Sequence, residues 1–165
     1  EVCKMEIKVS EVMQREDNSL YLKEIEVINY DEVEILNTPD SVVKLMTDVF
    51  EINKKISEEI FVIALTTDSK PLHFFRLNRG TVNTSLLDIR GLMISLLLAN
   101  ASTFVVVHNH PSGSIIPSKP DIEITQKLNK AADLLGLTFA DHIIIGATGN
   151  HYSFMEVYGN LAKVR

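Results

Sequence analysis

The chain has 165 residues, of which 45% are hydrophobic and 23% charged, and its net charge at pH 7 is −6. These values predict one globular domain with a substantial core. The most apolar stretch, residues 92–107, is too short and too interrupted by polar residues to span a bilayer, and no secretion signal is recognisable. The single cysteine excludes an internal disulfide and a multi-thiolate zinc site, so we expect a cytoplasmic protein without a membrane partner.

The charge is unevenly distributed along the chain. Residues 1–60 include 15 acidic and 7 basic residues, whereas residues 61–165 include 7 acidic and 9 basic ones. Neither half contains the basic stripe that is typical of nucleic-acid binders. Apolar residues are interleaved throughout the acidic part, which favours a solvated surface over an acidic interaction tail.

The beginning of the chain predicts a hairpin followed by a helix. Apolar and charged residues alternate over residues 4–12 and, less regularly, over 21–30, and the turn-like segment QREDNS separates them. Residues 1–35 are therefore predicted to be a strand-rich extension. Thr38 and Pro39 suit the start of a helix. The apolar face of that helix carries Val42, Leu45, Met46, Val49 and Phe50.

Strands and helices mix over the rest of the chain, residues 36–165. An apolar run at 85–101 predicts a buried helix, and an amphipathic pattern at 121–136 predicts a second helix that ends at Gly136. Short apolar runs predict strands at 60–66, 71–77, 103–108, 141–146 and 151–155. Because strands and helices do not alternate strictly, the pattern predicts an α/β (α+β) fold with a mixed β-sheet flanked by helices.

The segment FVVVHNHPSG, residues 104–113, ends a hydrophobic strand with two histidines. Residues two apart in a strand point to the same face, so His108 and His110 can converge on one point. A lone histidine in a strand is more often structural, whereas a pair beside a turn favours a metal, because neutral imidazole is a common zinc ligand. Two ligands are not enough, so a third has to come from another element.

Asp121 is the candidate third ligand, eleven positions after His110 in the first turn of the next helix. Two imidazoles and a carboxylate leave one position of a tetrahedral zinc ion for water, as in catalytic sites. The segment SKPD, residues 118–121, also fits a helix start in which Ser118 caps the helix and an acidic residue lies three positions later. Ligation and capping can coexist, and the local sequence leaves both open.

The spacing of these residues carries a resemblance. His-x-His, seven residues, Ser, two residues and Asp resembles the signature of the JAMM metalloproteases, which have the JAB1/MPN fold, a cytidine-deaminase-like fold. HNHPSGSIIPSKPD is similar in particular to the bacterial RadC branch. The likeness extends from about Leu36 to Leu161 and includes GTVNTS (residues 80–85), ADLLGL and DHIIIG. It implies a RadC-like JAB1/MPN (JAMM) domain over residues 36–165.

The resemblance also implies an activity, that of a zinc metallopeptidase or isopeptidase acting on a peptide or protein. His108, His110 and Asp121 would hold Zn²⁺. The family's Glu-x-Phe strand start selects Glu59, rather than Glu58, as the base that takes a proton from the zinc-bound water. Ser118 would donate a hydrogen bond to the oxyanion that forms at the amide carbonyl.

Two other functions compete with hydrolysis. The RadC branch carries a DNA-repair label, and a modest basic patch could support association with DNA, although no basic stripe accompanies the histidines. Its members would be Lys70, Arg76, Arg79 and Arg90. Some MPN domains are non-catalytic interaction modules, but the intact ligand set argues against that role here. A cytidine-deaminase site is excluded because the chain has no Pro-Cys-x-x-Cys pair.

Three further polar residues have weaker signals. His73, within an apolar strand, and His151, in a polar turn, are predicted to be structural or exposed. Asp141 could orient a metal-binding histidine, as carboxylates behind metal ligands often do. A role at the end of a strand is favoured for it instead.

Overall fold

The computed structural model describes residues 5–32, 34–79 and 87–164, except for the side chains of residues 78 and 79. The segment GTVNTS therefore lies outside the described residues. The strands are β1 (Met5–Gln14), β2 (Leu20–Tyr30), β3 (Glu59–Leu65), β4 (Pro71–Arg79), β5 (Thr103–Asn109), β6 (Thr138–Ile145) and β7 (His151–Ser153). The α-helices are α1 (Pro39–Phe50), α2 (Ile89–Leu98), α3 (Lys119–Leu135) and α4 (Phe154–Tyr158), with 3-10 helices at Ile52–Lys54 and Leu161–Lys163.

The strands form one seven-stranded sheet in the order β2-β1-β4-β3-β5-β6-β7. β1 pairs with β4, and β5 with β6, in parallel, and the other neighbours are antiparallel. The predicted α/β fold, a mixed sheet flanked by helices, is confirmed. None of the helices in the described ranges is both long enough and apolar enough to cross a bilayer.

Two hydrophobic cores lie on opposite faces of the sheet. On one face, α1 packs against Phe61, Ile63 and Val107. On the other, α2 and α3 pack against the intervening residues, such as Val62 and Val106. Because side chains alternate along a strand, neighbouring residues of β3 and β5 belong to different cores. This alternation decides which polar residues can meet at the ends of these strands.

The predicted N-terminal hairpin is confirmed, and its first strand joins the main sheet. β1 pairs with β2 along its length and meets β4 where Val9 lies opposite Phe74. Ile7 and Val9 are buried in the core beneath α1. The hairpin therefore extends the sheet and contributes to the core of the domain.

Several predicted boundaries were wrong by two or three residues, including the following three. Helix α2 ends at Leu98 rather than near residue 101, because Asn100 adopts a left-handed conformation with φ of 52°. Strand β6 begins at Thr138 rather than at residue 141. The last strand stops at Ser153, whose hydroxyl accepts a hydrogen bond from the Glu156 amide and begins α4.

Candidate metal centre

The two histidines of the motif converge at the end of β5, on the sheet face covered by α3. His108 is buried on the same face as Val106. His110 follows the strand, and its amide donates to the carbonyl of Ile145, which keeps the loop against the end of β6. The Nε2 atoms of the two rings lie 3.1 Å apart.

Asp121 reaches both rings from the first turn of α3. Its Oδ1 lies 3.2 Å from Nε2 of His108, and its Oδ2 lies 3.5 Å from Nε2 of His110. The amide and hydroxyl of Ser118 donate to the same Oδ2 at 2.7 and 2.6 Å, and the Ser118 hydroxyl also caps the helix. Asp121 is thus part of a capping box and faces the histidines, so the two readings of the sequence coexist.

The glutamate beside this group is Glu58, whereas Glu59, the residue expected to act as the base, lies on the other face of the sheet. Oε1 of Glu58 lies 3.9 Å from Nε2 of His108, whereas Oε2 of Glu59 lies 3.6 Å from Nε of Arg76. The reason is the alternation of strand β3. Ile60 pairs with His108, so residue 58 shares the histidine face and residue 59 points to the face of Phe61.

Asn109, between the two histidines, holds the glutamate segment in place. Its side chain accepts a hydrogen bond from the amide of Glu59 at 2.7 Å and donates to the carbonyl of Ser57 at 3.1 Å. Both bonds tie the residues on either side of Glu58 to strand β5. The position of Glu58 near His108 therefore depends on the middle residue of the His-Asn-His motif.

A close approach of two loops supports the position of His110. Gly146 follows β6, and a Cβ atom there would lie 2.8 Å from the carbonyl oxygen of Gly113 and 2.3 Å from Oδ1 of Asn150. Only glycine allows the loop after His110 to lie this close to the end of β6. The glycine that ends the DHIIIG segment thus makes room for the loop of the HNHPSG segment.

Four residues can offer ligand atoms to one metal ion: Glu58, His108, His110 and Asp121, whose candidate atoms all lie within 4.8 Å of one another. Nδ1 of His110 lies 2.7 Å from the carbonyl of Ser114, so this nitrogen carries a proton, and in the neutral ring Nε2 is the nitrogen that can bind a metal ion. Within the described ranges, the only nitrogen atoms of basic side chains within 4.0 Å of the carboxylates of Glu58 and Asp121 belong to histidine rings. These electron-rich atoms fit a bound cation.

The electrostatics of the group are consistent with its fit to a cation. Burial alone would raise the pKa of Asp121, but hydrogen bonds with His108 and His110 outweigh it and hold that pKa far below its usual range. The same contact with Asp121 raises the pKa of His110. Asp121 is therefore a buried, ionised carboxylate at neutral pH.

Two residues near the group had no role assigned from the sequence, His142 and Thr125. Nε2 of His142 lies 2.9 Å from Nδ1 of His108, and Nδ1 of His142 lies 2.6 Å from Oγ1 of Thr125. Complete burial lowers the pKa of the His142 ring well below its usual value. The available signal was the DHIIIG segment, in which a histidine opens a run of buried apolar residues.

Within the described ranges, the carboxylate of Asp141 forms no hydrogen bond with a histidine ring. Its carboxylate accepts hydrogen bonds from the amides of His142 and Met155, at 2.7 and 2.9 Å, and from the Ser153 hydroxyl. It therefore joins β6 to the start of α4. Among the other histidines, Nδ1 of His73 lies 2.9 Å from Oγ of Ser10, which links β4 to β1, away from the metal-facing group.

The basic patch considered for DNA contains an arginine that is already engaged. Arg76 faces Glu59, and its guanidinium lies 4.9 Å from the centre of the Phe61 ring. Its side chain is only 22% exposed. Arg76 is thus part of the sheet face beneath α1, and the side chain of Arg79 lies outside the described residues.

Comparison with known proteins agrees with this geometry. The family model of the RadC-like JAB domain matches residues 36–160. The chain belongs to the RadC-like JAB domain family. This RadC-like domain is 38% identical over 112 residues to a UPF0758 protein of Finegoldia magna, covering 68% of the chain and 49% of that protein. Its identity to a UPF0758 protein of Porphyromonas gingivalis is 40% over 99 residues, covering 60% of the chain and 44% of that protein.

A third RadC-like relative, a UPF0758 protein of Bacillus licheniformis, is 41% identical over 92 residues, which cover 55% of the chain and 41% of that protein. The chain spans about half the length of the curated relatives it matches, or less. The family match begins at residue 36, after the hairpin of β1 and β2.

Proposed function

We propose that this RadC-like JAB domain is a zinc-dependent hydrolase that cleaves an amide bond in a peptide or protein substrate. The observation that carries the proposal is the convergence of His108, His110 and Asp121, with Glu58 beside them. Two imidazoles and one carboxylate are a common ligand set of catalytic zinc, in which one position stays open. The JAB family membership supports the same chemistry.

In the proposed reaction, the bound ion would activate the water and a protein side chain would transfer the proton. When held by His108, His110 and Asp121, Zn²⁺ would supply Lewis acidity and would lower the pKa of a coordinated water toward about 7. Glu58 is the proton acceptor that the geometry favours, because its side chain is 53% exposed and lies 3.9 Å from His108. The same carboxyl group can then return the proton to the leaving amine.

Ser118 is suited to stabilise the oxyanion. It is exposed at the helix start, and its hydroxyl donates to Oδ2 of Asp121 at 2.6 Å. Rotation of this hydroxyl toward a substrate would leave the bond from the Ser118 amide to Asp121 intact. Loss of one such donor raises a barrier by about 3 kcal/mol in other hydrolases.

The two neighbouring glutamates give a matched test. We expect zinc-loaded wild-type protein to cleave members of an unbiased peptide library, with Glu58→Gln lowering the rate at least about 100-fold because the proton acceptor is lost. Glu59→Gln changes the same chemical group on the opposite sheet face, and its hydrolysis should stay within a few-fold of wild type. Mass spectrometry of the digests and elemental analysis of the metal content are the measurements.

The outcomes separate the roles of Glu58 and of the domain. If Glu58→Gln also loses the metal, Glu58 is a fourth ligand rather than the base. If Glu59→Gln is the inactive variant, the assignment of the base is overturned. Zinc-loaded protein that cleaves no library member and shows no difference from Glu58→Gln contradicts the hydrolase and favours a non-catalytic interaction module.

A further inference from the structure

His142 lies behind His108, on the side away from Asp121 and His110. It is 1% exposed, and its ring stacks on Phe154 with the planes 8° apart. One ring nitrogen contacts His108 and the other contacts Thr125. The hydroxyl of Thr125 in turn lies 2.6 Å from the backbone carbonyl of Asp121. A chain of hydrogen bonds therefore connects His108 on β5 to Asp121 on α3 through β6.

The direction of each bond follows from the groups that make it. A carbonyl oxygen only accepts, so Thr125 uses its single proton on Asp121 and has to accept from Nδ1 of His142. His142 is buried against an aromatic ring, so its neutral form is favoured, and that form has a lone pair on Nε2. Nδ1 of His108 then donates to this lone pair, so in neutral His108 the unprotonated nitrogen is Nε2, on the side of Asp121.

We propose that His142 is a positioning residue that holds His108 in the tautomer able to bind a metal through Nε2, with Thr125 setting the orientation of His142. This inference rests on the metal binding proposed above. Histidines that bind metals usually donate their other N–H to a carboxylate, a carbonyl or water. Here the acceptor is a second, neutral imidazole, whose own tautomer is set by a hydroxyl attached to the helix of Asp121.

We call the chain of hydrogen bonds from His108 through His142 and Thr125 to Asp121 the relay. It makes the tautomer of His108 on β5 depend on residues of β6 and α3. Without an acceptor at position 142, the buried Nδ1–H of His108 would lose its partner, and the tautomer with a proton on Nε2 would compete. That tautomer points an N–H toward His110 and Asp121 and cannot bind a cation there. Loss of such a supporting partner typically lowers metal affinity by about 10- to 100-fold.

The test compares three variants by two measurements. Zn²⁺ affinity is measured by competition with a chromophoric chelator, and the ¹⁵N shifts of the His108 ring are measured in the metal-free protein. We expect His142→Leu to lower the affinity about 10- to 100-fold and to move His108 toward the Nε2–H tautomer. His142→Gln, whose amide oxygen can accept from His108, should recover most of the affinity.

Thr125→Val tests the direction of the relay with little change in volume. Without the hydroxyl, Nδ1 of His142 loses its acceptor, so His142 can carry its proton on Nε2 and donate to His108. The His108 tautomer should then reverse and the affinity fall, although His142 is still present. This variant also decides the question if His142→Leu does not fold.

His73→Leu is the control, because it removes a half-buried histidine that is hydrogen-bonded to Ser10 outside the metal-facing group. Its Zn²⁺ affinity should stay within a few-fold of wild type. Folded Thr125→Val with unchanged affinity and an unchanged His108 tautomer would overturn the relay. If wild-type protein binds no Zn²⁺, the proposed function fails, whereas the ¹⁵N shifts still report whether His142 sets the tautomer of His108.

Discussion

Two polar clusters lie at the same end of strands β3 and β5, on opposite faces of the sheet. On the face of α3, the only basic side chains beside Asp121 and Glu58 in the described residues are histidines. On the face of α1, Glu59 meets Arg76, whose guanidinium lies over Phe61. The α1 cluster thus contains a permanent cation, the guanidinium of Arg76. The α3 cluster instead contains ligand atoms that could bind a metal ion. The adjacent residues Glu58 and Glu59 belong to different clusters because successive side chains of a strand point to opposite faces of the sheet.

A third buried carboxylate extends the comparison. Asp141 is held by two amides and a hydroxyl, which are uncharged donors. Burial raises its pKa to about 6 despite these bonds, whereas the pKa of Asp121 lies far below its usual range. The contacts with two histidines thus outweigh burial at Asp121, whereas the uncharged donors at Asp141 do not.

The largest expected effect comes from removing the charge at the metal centre. A structural zinc site binds with about 10–16 kcal/mol shared among four ligands, or about 2.5–4 kcal/mol per ligand, so Asp121→Asn should lower Zn²⁺ affinity by about 100- to 1000-fold. Chelator competition measures the change. Asp133→Asn, an exposed substitution on the same helix, is the control and should leave the affinity unchanged. Retention of wild-type affinity by Asp121→Asn would remove Asp121 from the ligand set.

A smaller effect on a different quantity should follow on the other face. Arg76→Met leaves Glu59 without its cation while keeping an apolar side chain against Phe61, and should lower the free energy of unfolding by about 3 kcal/mol. Adding Glu59→Gln should recover most of that loss, because the uncompensated charge disappears. Urea unfolding of the single and double variants measures this coupling. Equal free energies of unfolding for Arg76→Met and wild type would show that Arg76 does not compensate the buried charge of Glu59.

The smallest effect concerns Asp141 and depends on pH. Its pKa is about 6 in the folded protein and 3.8 as the ordinary value, so the folded state binds the proton more tightly. Protonation therefore favours folding below about pH 4, and this contribution is lost as the pH rises through about 6. Asp141→Asn has no carboxyl group at this position, so its stability lacks this dependence on pH.

The prediction is checked by urea unfolding of wild type and Asp141→Asn between pH 4 and 7. A chelator is present in all samples, so that metal binding does not contribute to the stability. Relative to wild type, Asp141→Asn should become progressively more stable as the pH rises over this range. A difference between the two proteins that does not vary with pH would contradict the raised pKa of Asp141.

Part of the site was predictable because its signals are local. His108 and His110 are two residues apart at the end of a strand, and Ser118 and Asp121 have the spacing of a capping box. Glu58 was not predictable in this way. The face to which residues 58 and 59 point depends on the pairing of Ile60 with His108, which is a contact between distant parts of the chain.

The role inferred for His142 was beyond local reasoning for a similar reason. A histidine at the start of a buried strand is most often a core residue, and nothing in the segment names its partner. The parallel pairing of β5 and β6 places Val106 opposite His142 and so brings the ring beside His108. Thr125 adds a contact from α3 that no periodicity of the helix indicates.

The sequence by itself determined the element types, the family and three residues that face one another, because strand alternation, helix capping and motif spacing act over a few residues. Only the tertiary structure decided which glutamate lies beside the histidines, which arginine pairs with Glu59 and which side chain contacts the far side of His108. These outcomes depend on strand register and on the packing of α3 against the sheet. Both are set by contacts between residues that are far apart in the chain.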